Sequence, residues 1–184
     1  MSSILCTLSG LGSYHLLSWG TLIGTQLYQT FVMTKLAYVY LPRPQFMSLQ
    51  KKAFPVPFGV ALALSLTTAL TYPAGSVVGL MATGSPNRRD LFFLSVSLGM
   101  SLLNLLVFGP RTISALVQRN HQETHDNLKL ASSVDLPRDK LTTDMYRAKR
   151  AFSTNHAMSI HLNLIGLFAT IAYGLSLSSR ILIA

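Results

Sequence analysis

The chain has 184 residues, 49% of them hydrophobic and only 11% charged, and a net charge of +9. Its basic residues flank apolar runs and form no patch on a polar domain, which excludes a nucleic-acid-binding module. A single cysteine, Cys6, excludes an internal disulfide.

The charges are confined to short stretches. Met1–Thr34, Ala53–Asn87, Leu91–Pro110 and Ala151–Ser179 contain none. A charge at the centre of a membrane helix costs about 2.5–3.5 kcal/mol even on the lenient insertion scale, so runs of this kind belong in a bilayer. They predict an all-α integral membrane protein with four transmembrane helices in a bundle and one amphipathic, hydrophilic connection between the third and fourth. A crossing takes about 20 residues. Four of them leave no room for a second large domain, so residues 1–184 read as one membrane domain.

The first run is longer than one crossing needs. Gly10, Gly12 and Ser13 make a break, which puts the first helix near 15–38, with Tyr38 and Tyr40 at the interface. No basic segment or clear cleavage site marks a removable signal peptide. Leu41-Pro42-Arg43-Pro44 ends the helix, because proline lacks a donor and restricts its predecessor. The first connection carries the membrane-flanking Lys35, Arg43, Lys51 and Lys52 and no acid. The second crossing is expected over about 54–80, with Pro73 kinking or ending it. A short turn through Arg88, Arg89 and Asp90 leads to the third crossing, 91–109, stopped or kinked at Gly109-Pro110.

The stretch 111–150 is hydrophilic. It opens at Arg111, and Ile113, Leu116 and Val117 recur at helical spacing, so it begins as an amphipathic continuation of the third helix. Residues 131–143 read as a polar loop. The fourth crossing is expected over 155–177. Lys and Arg number twelve on the side of the first and third connections and three on the other. The positive-inside rule then places both termini on the non-cytosolic side, in an endomembrane or the plasma membrane.

Small residues form stripes at helical spacing: Gly20 and Gly24, Gly75 and Gly79, Ser95 and Gly99, and Gly166, Thr170 and Gly174 with Ser178. Such stripes let backbones approach where lipid offers no hydrophobic drive. They read as packing faces within the bundle, the fourth helix being the best candidate for self-association. Polar residues interrupt the apolar runs at His15, Gln26, Gln29 and Thr30, at Asn104, and at His156, Ser159, His161 and Asn163. They must face protein or water. Gln26 and Gln29 share a face, as do His156, Ser159 and Asn163. These residues form either an interhelical hydrogen-bond network or a polar site inside the membrane. With no acid inside the crossings, a carboxylate relay is not expected. His121 and His125 share a face, yet Glu123 stands where neither zinc-peptidase signature puts its glutamate, so the segment reads as solvated. No nucleotide loop, nucleophile elbow or paired-carboxylate motif occurs, and neither a metal nor a cofactor is expected.

Trp19-Gly20, the segment Gln26–Val32, Leu41-Pro-Arg43 and the segment Gln50–Pro55 resemble the start of the transmembrane protein 205 family, which carries a domain of unknown function. Gly109-Pro-Arg-Thr112 is similar to its motif after the third helix. Phe152, His156, Ser159 and Asn163-Leu164 are similar to its F-x-x-x-H-x-x-S-x-x-x-N-L pattern. The matches run in order along nearly the whole chain, although 111–150 does not match the family and His161 lies outside its motif. The resemblance implies a four-helix, mainly eukaryotic membrane protein without an established enzymatic activity. It draws attention to Gln26, Thr30, Arg111, His156, Ser159 and Asn163, the polar residues at motif positions.

Together these features predict a non-enzymatic structural or interaction component of a membrane system. Its partners would be the lipid bilayer and either a second copy or another membrane protein. The alternative is a small-molecule or ion transporter, acting as an oligomer, with a polar intramembrane site around Gln26 and His156.

Overall fold

The computed structural model describes residues 10–72, 81, 85–132 and 138–181. Helix α1 spans Leu11–Leu27, passes through a π-helical turn at Tyr28–Met33 and continues as α2, Thr34–Tyr40. Leu41 is extended, with φ −94° and ψ 138°, as a residue before proline should be. Pro42 then caps α3, Arg43–Ala53, with Pro44 in its first turn, where a missing N–H costs nothing. Lys51 and Lys52 occupy its last turn, facing the negative end of the helix dipole. Phe54 stays helical and leads into α4, Pro55–Leu70. The third stretch is α5, Ser85–Leu103, a second π-helical turn at Asn104–Phe108 and α6, Gly109–Ser132. The last is α7, Arg138–Ile181.

The four stretches pack in a ring: α1 on α4, α4 on α5, α5 and α6 on α7, and α7 back on α1. Side-chain bonds fix the fourth stretch as antiparallel to both of its neighbours. His15 meets Tyr173 and Thr30 meets Asn163 across the first and fourth stretches. Ser97 meets Thr170 and Asn104 meets Ser159 across the third and fourth. The result is an up-down-up-down bundle. Three helices are long and apolar enough to cross a membrane: Arg43–Leu70, Arg88–Leu128 and Thr143–Ser179. The stretch 11–40 completes the bundle, divided by its π-turn. Large apolar side chains such as Leu17, Phe92, Leu106, Phe168 and Leu175 face outward, as lipid requires. Tyr38 and Tyr40 are exposed at the end of the first stretch, as an interfacial pair would be.

Hydroxyls along α4 turn inward on their own helix. Thr67, Thr68 and Thr71 donate to the carbonyls of Ala63, Leu64 and Thr67. This satisfies each polar group without a lipid-facing partner.

Several boundaries differ from those read in the sequence. Two connections contain helix, one of them in part of the stretch that read as a polar loop. Residues 43–53 form α3, and α7 begins at Arg138, so it includes residues expected in a loop. At about 1.5 Å per residue its 44 residues reach about 66 Å, twice the hydrocarbon core, so it projects into water. The third helix does not stop at Gly109-Pro110, since the π-turn before Gly109 absorbs the proline. Helix α4 ends at Leu70, before Pro73. Pro73 itself, and the Gly75 and Gly79 stripe, lie outside the described residues.

The fourth-helix stripe packs inside the bundle. A Cβ on Gly174 would run into the indole of Trp19, and one on Gly166 would touch Met100. Thr170 bonds Ser97, and its carbonyl accepts from Trp19 Nε1 at 3.1 Å. The first-helix stripe is different. Nothing lies within 4 Å of a Cβ built on Gly20 or Gly24. The expectation that those glycines pack within the bundle is corrected: they face open space, because Trp19, one residue away, takes the packing position.

A candidate ligand cavity among four helices

The two ends of the bundle are built differently. At the end holding the start of α1 and the end of α7, Tyr72, Leu94, Tyr173 and Leu177 form a packed core against Trp19, Leu91 and Phe93. That core contains a carboxylate. Asp90 is fully buried and accepts from Tyr72 Oη at 2.8 Å and Ser176 Oγ at 2.7 Å. His15 bonds Tyr173 Oη and meets the edges of both tyrosine rings. The sequence reading placed no acid inside the crossings, and this is corrected. Helix α5 begins at Ser85, so Asp90 lies more than a turn inside it and faces the core, while Arg88 and Arg89 stay exposed.

At the other end the helices enclose a partly open cavity of about 1020 Å³. This is the upper end of the usual size for a small-molecule site. Gln26, Gln29, Thr30, His156, Ser159 and Asn163, from opposite sides of the sequence, all line it. The first π-turn carries Gln29 and Thr30, and Thr34 Oγ1 donates back to the Gln29 carbonyl at 2.9 Å. Asn163 Nδ2 donates to Thr30 Oγ1 at 2.8 Å, tying α7 to that turn. The second π-turn begins at Asn104, whose Nδ2 donates to the Ser159 carbonyl at 3.0 Å. Gly109 permits this turn: its N–H bonds Asn104 O, and a Cβ there would lie 2.5 Å from the same oxygen.

His156 stacks on Phe152 with centroids 5.2 Å apart and planes 12° apart, and Phe54 stands 6.3 Å away on its other flank. The guanidinium carbon of Arg119 lies 5.4 Å from the Phe152 centroid, in cation–π range. Arg43, also on the lining, pairs with Glu123 at 2.7 Å across the surface. Among the described residues no acid lines the cavity. Four lining groups keep a buried polar atom with no hydrogen-bond partner among the described residues: Gln26 Oε1, Thr112 Oγ1, Arg119 Nε and His156 Nδ1. Native interiors leave few such atoms, and four around one space mark it as built for something polar.

Sequence reasoning missed Thr112 and Arg119. Both sit in what looked like a solvated connection, and the signal for them was its helical spacing: Thr112, Leu116 and Arg119 fall at i, i+4 and i+7, on the face that lines the cavity. The flanking Lys51, Lys52 and Arg111 are exposed, and Arg111 lies over the Phe108 ring. His121 and His125 gather no metal-ligating cluster among the described residues. Their neighbour Glu123 instead ties α6 to Arg43.

Over 182 residues the chain is 36% identical to the "Xanthocillin biosynthesis cluster protein D" of Aspergillus fumigatus, covering 99% of this chain and 98% of that one. No solved structure matches it. Residues 17–121, more than half of the chain, match the model of a domain of unknown function, DUF4149, and the chain belongs to that family.

Proposed function

We propose that this membrane protein binds a small amphipathic molecule in the cavity between its helices and moves it within or across the bilayer. One observation carries the reading: four residues lining one cavity, from three of the bundle's four stretches, each hold a buried polar atom without a partner among the described residues. A purely structural polar cluster would close on itself, because each stranded group costs about 1–3 kcal/mol. Of the sequence's two readings, transport therefore fits this geometry better. The name of the Aspergillus fumigatus relative, which refers to a biosynthesis cluster, is in keeping with a small organic ligand. On this reading the chain is of the transmembrane protein 205 type. The cavity lies at the end of the bundle that carries twelve of the fifteen basic residues, the cytosolic side by the positive-inside rule.

The structural-partner reading has its own observation. Gly20 and Gly24 present a small-residue face with open space beside it, shaped for another helix. One experiment separates the two. The protein is extracted in mild detergent and examined by native mass spectrometry, beside Ala61→Phe, which puts a ring into the cavity from a buried lining position. A bound small molecule lost in the variant is the expected result. An empty wild-type chain that retains a protein partner in both forms would sink the transport reading.

A further inference from the structure

The unpartnered polar atoms on the residues that line the cavity differ in kind, and together they describe a ligand. At one end stands Arg119. Among the described residues it has no carboxylate partner, and Glu123, one turn further along the same helix, bonds Arg43 instead. Its Nε–H is buried and unbonded, and its guanidinium lies against the Phe152 ring. A half-buried cation beside a cavity with no acid among its described lining residues is stabilised by an anion from outside the protein. Deeper in the bundle, Gln26 is 5% exposed and its Oε1 is an acceptor without a donor. Between the two levels stand the rings of Phe54, Phe152 and His156. Planar groups stack on such a wall.

We infer that the cavity takes an amphipathic aromatic anion, its carboxylate or phosphate on Arg119, its flat body against Phe152 and His156, and a hydrogen-bond donor at its far end on Gln26. The inference rests on the ligand-cavity reading above and adds the charge and polarity of the occupant. Thr112 Oγ1 and His156 Nδ1 supply further bonds along its edge. The anion is carried by a soluble aromatic acid.

The protein in phosphatidylcholine nanodiscs is titrated with fluorescent 6-hydroxy-2-naphthoate, with its methyl ester and with 2-naphthoate, and empty discs are subtracted. The acid is expected to bind about tenfold or more tightly than the ester, the usual scale for a charged hydrogen bond. Arg119→Gln abolishes that preference and Arg119→Lys retains part of it. Gln26→Leu removes the advantage of the hydroxylated acid over 2-naphthoate and leaves the acid-over-ester preference intact. Phosphatidylglycerol that displaces the acid in an Arg119-dependent way keeps the anion assignment and overturns the aromatic one, since its headgroup has no flat ring; no displacement supports both. Equal binding of acid and ester by the unsubstituted protein overturns the anion assignment and leaves the cavity reading standing. Saturable binding of none of the three overturns both.

Discussion

Replacing Gly174 with alanine adds one methyl group where the bundle has no room for it. The new Cβ would lie 2.8 Å from Trp19 Cε2, 3.0 Å from Cη2 and closer still to Cζ2. The backbone of α7 is held on both sides by its own helix, so the indole must move. Moving it strains the bond from Trp19 Nε1 to the Thr170 carbonyl, now 3.1 Å long. Overpacking costs about 1–3 kcal/mol, the strained bond about 0.5–1.5, and the better helix propensity of alanine returns about 0.5–1. The net expectation is a loss of about 2 kcal/mol, more than tenfold in the folded-to-unfolded ratio. Trp19 is the sole tryptophan, so its emission reports the contact directly during reversible unfolding in mixed micelles. Gly24→Ala supplies the contrast. The space beside Gly24 is open, so that change should be neutral or stabilising by about 0.5–1 kcal/mol. Equal stability of Gly174→Ala and wild type, with unshifted Trp19 emission, would refute the packing argument.

Gly109→Ala should disrupt the second π-turn, because its Cβ meets Asn104 O at 2.5 Å, and should lower thermal stability by about 1–3 kcal/mol, whereas Gly99→Ala, in open space, should not. Asp90→Ala removes the acceptor of the buried Tyr72 hydroxyl and of the Ser176 hydroxyl and should cost about 1–3 kcal/mol in the same unfolding assay, with Asp90→Asn milder because one acceptor remains. A stabilised Asp90→Ala protein would show that the buried carboxylate is a net liability. A double-mutant cycle on Arg43 and Glu123, a largely exposed pair, should return only about 0.2–1 kcal/mol and fade with added salt.

The bundle was legible because the bilayer is a strict solvent. Charge-free runs mark the crossings, and within them any polar residue stands out. That contrast singled out Gln26, Gln29, Thr30, His156, Ser159 and Asn163, which the structure brings to one cavity. Arg119 and Thr112 were hidden by the same logic, since a polar residue in a polar stretch carries no contrast. Their position depends on α6 continuing straight past Pro110, which the π-turn before Gly109 makes possible. Asp90 was hidden by its neighbours: beside Arg88 and Arg89 it looked like part of a solvated turn, and only the helix phase turns it inward. The glycine stripes show the limit of spacing arguments. Gly20 and Gly24 are separated by the same step as Gly166 and Thr170, yet one pair faces open space and the other a neighbouring helix. Spacing reports that a close approach is allowed; the partner decides whether it happens.

The central claim is that the cavity beside Arg119 and Gln26 is an occupied binding site. An experimental density map of the protein in nanodiscs of its native lipids tests it most directly. The account predicts non-protein density within hydrogen-bond distance of Arg119 Nε and Gln26 Oε1, lying against the Phe152 ring. A collapsed cavity in which Gln26, Thr112, Arg119 and His156 bond one another would contradict it.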